Sequence, residues 1–193
     1  MTVNQLFYSV MFLLLSTQTR AQEPIFTGGV VGGLNFSSLT KESVWDYCGT
    51  NTGIRITADV GKIDLGMELL YSVNGEYILP DYYPSIDWGK IRLTHIEIPV
   101  YALIPMPVYN KNFNQHWQLT IGGAFTQLLS YFGQDKQGID QTSTVKYSRT
   151  HNFILQAGTF IYLTPKFGVN WRISVPVQQV LDVSMAFRVH YDF

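Results

Sequence analysis

Charge is what this chain has least of. Only 14% of its 193 residues are Asp, Glu, Lys or Arg, against about 25% in an ordinary soluble domain, so too few charges exist to cover a large water-facing surface. The formal net charge of −1 excludes the basic footprint of a nucleic-acid binder. A single cysteine, Cys48, rules out an intrachain disulfide. Cys48 and the scattered histidines give no metal-ligand spacing, and no phosphate-loop or dinucleotide motif occurs. After the first residues, no stretch approaches the roughly 18 apolar residues of a spanning helix. Aromatics, at 15%, and the 16 glycines are the types in good supply.

The N-terminus reads as an address. Leu6 to Leu15 is an apolar run of signal-peptide length and short of a spanning helix. The polar stretch STQTRAQ follows, placing Ala21 before a plausible cut. Residues 1–21 are therefore expected to be a signal peptide and residues 22–193 the mature domain.

In the mature chain the recurring period is two, the period of strands with two unlike faces. Ile54, Ile56, Ala58 and Val60 form one apolar parity, and Ile63, Leu65, Met67, Leu69, Tyr71 and Val73 the next. Ile96 to Ile104, Trp117 to Phe125, Phe167 to Val177 and Val183 to Phe193 behave alike. In these six runs the charged residues Arg55, Asp59, Asp64, Glu68, Glu97, Arg172, Arg188 and Asp192 all avoid the apolar parity. Phe26 to Leu39 is a seventh strand diluted by glycine. Asn152 to Leu163 is an eighth, apolar on both parities, whose faces cannot be assigned.

Gly61-Lys62 has the length and leading glycine of a type II′ hairpin turn, and Thr164 to Lys166 is similarly brief. Thr40 to Asn51, Asn74 to Ile91 and Tyr131 to Thr150 are long, polar and aromatic, which places Cys48 in the first long loop. Pro105 to Gln115 is long for the short-turn rim, and Gln178 to Asp182 is short for the other. An even strand number with short turns on one rim and long loops on the other predicts an all-β fold: an eight-stranded antiparallel up-and-down transmembrane β-barrel.

Alternation alone does not separate a membrane barrel from a soluble one. The polar parity does: a soluble surface would be roughly 25–35% charged, whereas here that parity is mostly Gly, Ala, Ser, Thr, Asn and Gln. The apolar parity is bulky, uncharged and aromatic toward strand ends, as outer-membrane lipid contact requires. The polar face then lines a narrow lumen, where charges must pair. Pairing across Gly61-Lys62 sets Arg55 opposite Glu68 and Asp59 opposite Asp64. With Glu97, Arg172 and Arg188, Arg55 and Glu68 form the expected lumen charge network. His190 and Asp192 are expected to approach the water below it. The register of the last two strands stays open, and one choice would oppose Arg172 and Arg188.

Five segments, GGVVGGLNFSSL (Gly28 to Leu39), MELLYSVNGEY (Met67 to Tyr77), LTHIEIPVYALI (Leu93 to Ile104), WQLTIGGAF (Trp117 to Phe125) and the closing FRVHYDF, carry a resemblance in order and spacing. The chain resembles the PorT-like family of small outer-membrane β-barrels, related in architecture to the OmpA and OmpX barrels. Glu68 matches that pattern's glutamate before Leu-Tyr-Ser, and Glu97 its glutamate before Ile-Pro. The resemblance implies a Gram-negative outer-membrane protein that is not an enzyme, some relatives serving a secretion apparatus. It also implies that the terminal aromatics, Tyr191 and Phe193, are the signal read by the barrel-assembly machinery.

The functional expectation is a non-enzymatic barrel with a side-chain-plugged lumen and no cofactor, whose loops contact a ligand or partner protein. Trp45, Tyr47, Tyr77, Tyr82, Tyr83 and Trp88 supply the loop aromatics, with Tyr82, Tyr83 and Trp88 as the contact candidates. The alternatives are a narrow porin-like channel and a lipid-modifying barrel enzyme. The latter lacks support, since none of His95, His116, His151 and His190 has a serine two positions on.

Overall fold

The computed structural model describes residues 25–38, 47–78, 89–106, 117–135, 151–177 and 183–193. The expected signal peptide and the contact candidates Tyr82, Tyr83 and Trp88 lie outside the described residues. Eight strands follow one another: β1 (Ile25–Ser38), β2 (Tyr47–Asp59), β3 (Asp64–Ile78), β4 (Gly89–Pro105), β5 (Trp117–Asp135), β6 (His151–Tyr162), β7 (Phe167–Pro176) and β8 (Val183–Asp192). Each pairs antiparallel with its sequence neighbour, and β8 pairs with β1, so the sheet closes into a barrel. Closure leaves no edge strand to offer unpaired backbone groups to a membrane.

The stagger of the barrel follows from the pairing. The paired positions Thr27, Thr57, Gly66, Tyr101, Gly122, Gln156, Ser174 and Ser184 lead back to β1 at Ser37, ten residues beyond the start. With a rise of about 3.3 Å per residue and strands about 4.8 Å apart, that shear tilts the strands by about 40°, as transmembrane barrels require.

The period-two pattern sorts the side chains as expected. Ile54, Ile56, Leu65, Met67, Leu69, Ile98, Val100, Ile104, Ile121, Phe187, Val189 and Tyr191 are exposed on the outside, while Arg55, Glu68, Glu97, Arg172 and Arg188 are buried inside. On β6, whose faces the sequence leaves unassigned, Phe153 and Leu155 are exposed and Gln156 and Phe160 buried. The ambiguity has a physical cause, because Phe160 is a bulky apolar residue pointing inward. It is accommodated by Gly168 on β7, where any Cβ would overlap the Phe160 ring.

The turn joining β2 to β3 holds Gly61 at φ 98°, a left-handed conformation in which a Cβ costs roughly 1–2 kcal/mol. Val60 N donates to Ile63 O at 3.1 Å across it. This turn sets Arg55 opposite Glu68 and Asp59 opposite Asp64, as the sequence predicts. The two aspartates find separate donors: Gly61 N gives to Asp59 Oδ1 at 2.8 Å, and Gln118 Nε2 to Asp64 Oδ2 at 2.9 Å. Within the sheet, Pro99 lacks an N–H, and the β3–β4 pairing skips Glu68 and Leu69 beside it. The β4–β5 pairing carries an irregularity between Thr94 and His95.

Several expected loop positions are strand. β2 starts at Tyr47, so Tyr47 and Cys48 are not loop residues: Tyr47 is buried, and Cys48 is exposed on the other parity. Thr50 and Thr52 share the exposed parity with Cys48, and it is their polarity that hides the strand. Tyr77 belongs to β3. β3, β4 and β5 run past their neighbours, with pairing up to Ile78 opposite Gly89 and Gly89 opposite Asp135. By contrast, among the described residues β1–β2 pairing reaches only to Ser37 and Tyr47, and β5–β6 pairing to Gln127 and His151.

Candidate functional site, the charged interior

The inward parity of β2, β3, β4, β7 and β8 converges on a buried ionic cluster. Glu68, on β3, is its hub. Arg172 from β7 donates in a two-pronged contact, Nη1 to Oε2 at 3.1 Å and Nη2 to Oε1 at 2.6 Å. Arg188 Nη1 from β8 donates to Oε2 at 3.0 Å, and the Tyr101 hydroxyl from β4 to Oε1 at 2.6 Å. Charge-assisted bonds of this length are the strong ones. The guanidinium carbon of Arg172 lies 4.0 Å from the Tyr101 ring centroid, so Tyr101 serves both ions.

Glu97 is the second carboxylate. Gln156 Nε2 donates to its Oε1 at 2.6 Å, Ser72 Oγ to its Oε2 at 3.4 Å, and Arg188 Nη2 to Oε1 at 3.4 Å. Arg188 thus bridges Glu68 and Glu97.

Arg55 belongs elsewhere. Although directly opposite Glu68 in register, it forms no ion pair with it; its Nε lies 3.6 Å from Asp192 Oδ1, and its Nη2 donates to the Tyr162 hydroxyl at 3.3 Å. Its guanidinium sits 4.7 Å from the Phe160 ring centroid. The reason is competition: Glu68 is already taken by two arginines and a tyrosine, and β8 delivers Asp192 beside Arg55. The expectations for Asp192 and His190 are corrected accordingly. Neither approaches open water: both are buried, His190 fully, with its ring 4.9 Å from that of Phe160. The open register resolves to Asn170 opposite Arg188 and Ala186 opposite Arg172, which keeps the arginines from facing one another directly.

Asp192 completes the arithmetic. Among the described residues, three buried arginines, Arg55, Arg172 and Arg188, are matched by three buried carboxylates, Glu68, Glu97 and Asp192. Balance matters because each lone buried charge carries a desolvation cost of several kcal/mol. Toward the long-loop rim the described interior mixes amides with buried Tyr47, Ile91 and Leu93, Asn51 donating to Asn35 and Asn74 lying within 3.4 Å of His95 Nε2.

Tyr101, Gln156 and Tyr162 are the members that sequence reasoning missed. Tyr101 had a signal, visible only once the pairing is known: its partners on both sides are glycines, Gly66 and Gly122. A Cβ at Gly66 would overlap the Tyr101 ring, so the pocket for the ring is written into β3. Among the described residues, no group of three or more His, Cys, Asp or Glu side chains could hold a metal ion.

A closed eight-stranded antiparallel sheet, apolar outside and hydrogen-bonded inside, defines the class of transmembrane β-barrels. No protein-family model and no curated protein sequence matches the chain. Among solved structures it is similar to Ail, the attachment invasion locus protein of Yersinia pestis, in complex with the heparin analogue sucrose octasulfate. That match has a TM-score of 0.51 at 8% identity and covers 89% of this chain and 100% of Ail. It is also similar to Neisserial surface protein A, at a TM-score of 0.45 and 15% identity, covering 91% of this chain and 100% of that one. Likeness at such identity speaks to the fold alone, and the fold is that of small eight-stranded outer-membrane barrels.

Proposed function

We propose that the chain is a non-enzymatic integral outer-membrane barrel of the PorT-like kind, sealed through its middle by its own side chains. Its long external loops contact a ligand or partner protein, as an accessory to a secretion or surface complex. The observation that carries this reading is the Glu68, Arg172, Arg188 and Glu97 cluster. It joins β3, β4, β7 and β8 across the lumen, where an eight-stranded barrel has room for little besides side chains. The exposed apolar parity supports the membrane setting. Exposed Tyr191 and Phe193, with ring centroids 6.4 Å apart at the end of β8, suit recognition by the barrel-assembly machinery.

Purified protein in planar lipid bilayers is expected to show no steady single-channel conductance. A stable conducting level would replace the sealed barrel with the porin-like alternative. For the loops, alanine at Tyr82, Tyr83 and Trp88 together is expected to cut recovery of crosslinked partners from intact cells at least tenfold, with normal heat-modifiable migration on gels. Undiminished recovery from a correctly assembled variant would remove these aromatics from the interface.

A further inference from the structure

On its outer face the closing strand could slide without loss. The outward parity of β8 is apolar at every position from Val183 to Phe193, so a slip of two residues against both neighbours preserves the faces. It also preserves the shear of ten, because the change at β7 is cancelled at β1.

The interior does not tolerate the same slip. Sliding in one sense puts Arg188 opposite Arg172, where small Ala186 now stands, and carries it about 6.6 Å along the strand away from Glu68 and Glu97. Sliding in the other sense brings Ala186 into the Arg188 position, leaving the β8 contribution to Glu68 uncharged. Either slip takes Asp192 away from Arg55 and His190 from its position opposite Gly168.

We infer that Arg188 and Asp192 select the register in which the barrel closes, choosing among slips that the lipid-facing side cannot tell apart. Their ionic partners, Glu68, Glu97 and Arg55, lie on β3, β4 and β2, none of which neighbours β8 in the sheet. The register information therefore comes from across the lumen and is readable only when the sheet has curled.

Crosslinking tests this directly. In a Cys48→Ser background, Leu34→Cys with Phe187→Cys reports the observed register. Leu34→Cys with Met185→Cys, or with Val189→Cys, reports the two slips. After refolding into lipid vesicles and mild oxidation, crosslinks are scored on the heat-shifted band. The parent is expected to favour the first pair at least tenfold, and Arg188→Gln with Asp192→Asn to bring a slipped pair within threefold of it. A neutralised barrel that crosslinks only in the observed register overturns the proposal. Should the neutralised chain give no heat-shifted band, exchanging the ions decides. Asp192→Arg combined with Arg55→Asp must restore the Leu34/Phe187 crosslink that Asp192→Arg alone loses, and failure to restore it overturns the proposal equally.

Discussion

Glu68→Ala is expected to destabilise the barrel by about 3–5 kcal/mol, the cost of removing one partner from a buried ionic set. The change strips the shared acceptor from Arg172, Arg188 and Tyr101 at once. Arg172 then has no carboxylate, while Arg188 retains only the 3.4 Å contact to Glu97. Urea unfolding in lipid vesicles, followed by heat-modifiable migration, gives the measurement. Tyr101→Phe is the calibrating companion. It removes one charge-assisted donor and keeps an aromatic ring beside Arg172, so a smaller loss of about 1.5–3 kcal/mol is expected. Equal losses in the two variants would mean that Glu68 is not the hub.

The second large effect is on the outer face. Val100 is exposed and is the midpoint of the outward series of β4 that runs from Ile96 to Ile104. Val100→Arg is expected to cost about 2–4 kcal/mol in a bilayer, whereas Val60→Arg, at the β2–β3 turn, should cost about 0–1 kcal/mol. The contrast is the useful part. On a water-facing surface both substitutions would be nearly neutral, so two equally small losses, again by urea unfolding in vesicles, would sink the lipid-facing assignment.

How much of this was legible in the sequence varied with the physics. Strands such as Ile63 to Val73 were readable because lipid outside and polar groups inside enforce strict alternation. β6 was not, because a lumen is filled by shape as well as polarity, and Phe160 fills it beside Gly168. The upper part of β2 was hidden because Thr50 and Thr52 occupy the outward parity. What makes it strand is pairing with β1, as in Leu34 opposite Thr50, a tertiary fact that local pattern does not encode.

The charged interior was legible as a set and not as pairs. Arg55 opposite Glu68 followed from a two-residue turn, yet opposition in a ladder does not make an ion pair when other strands supply stronger partners. Glu68 meets Arg172 and Arg188 from the far side of the barrel, a relation that depends on how many strands close the sheet and with what stagger. Asp192 was misplaced for the same reason, since its partner Arg55 lies two strands away around the closure.

The unequal strand lengths give the barrel a front and a back. Among the described residues, β3, β4 and β5 form a parapet, while β6, β7, β8, β1 and β2 reach less far. The rim of the described strands is therefore cut obliquely, like a quill. The tall strands turn their inner faces toward the low side and their outer faces away from it. The described rim thus has one distinguishable heading around the barrel axis.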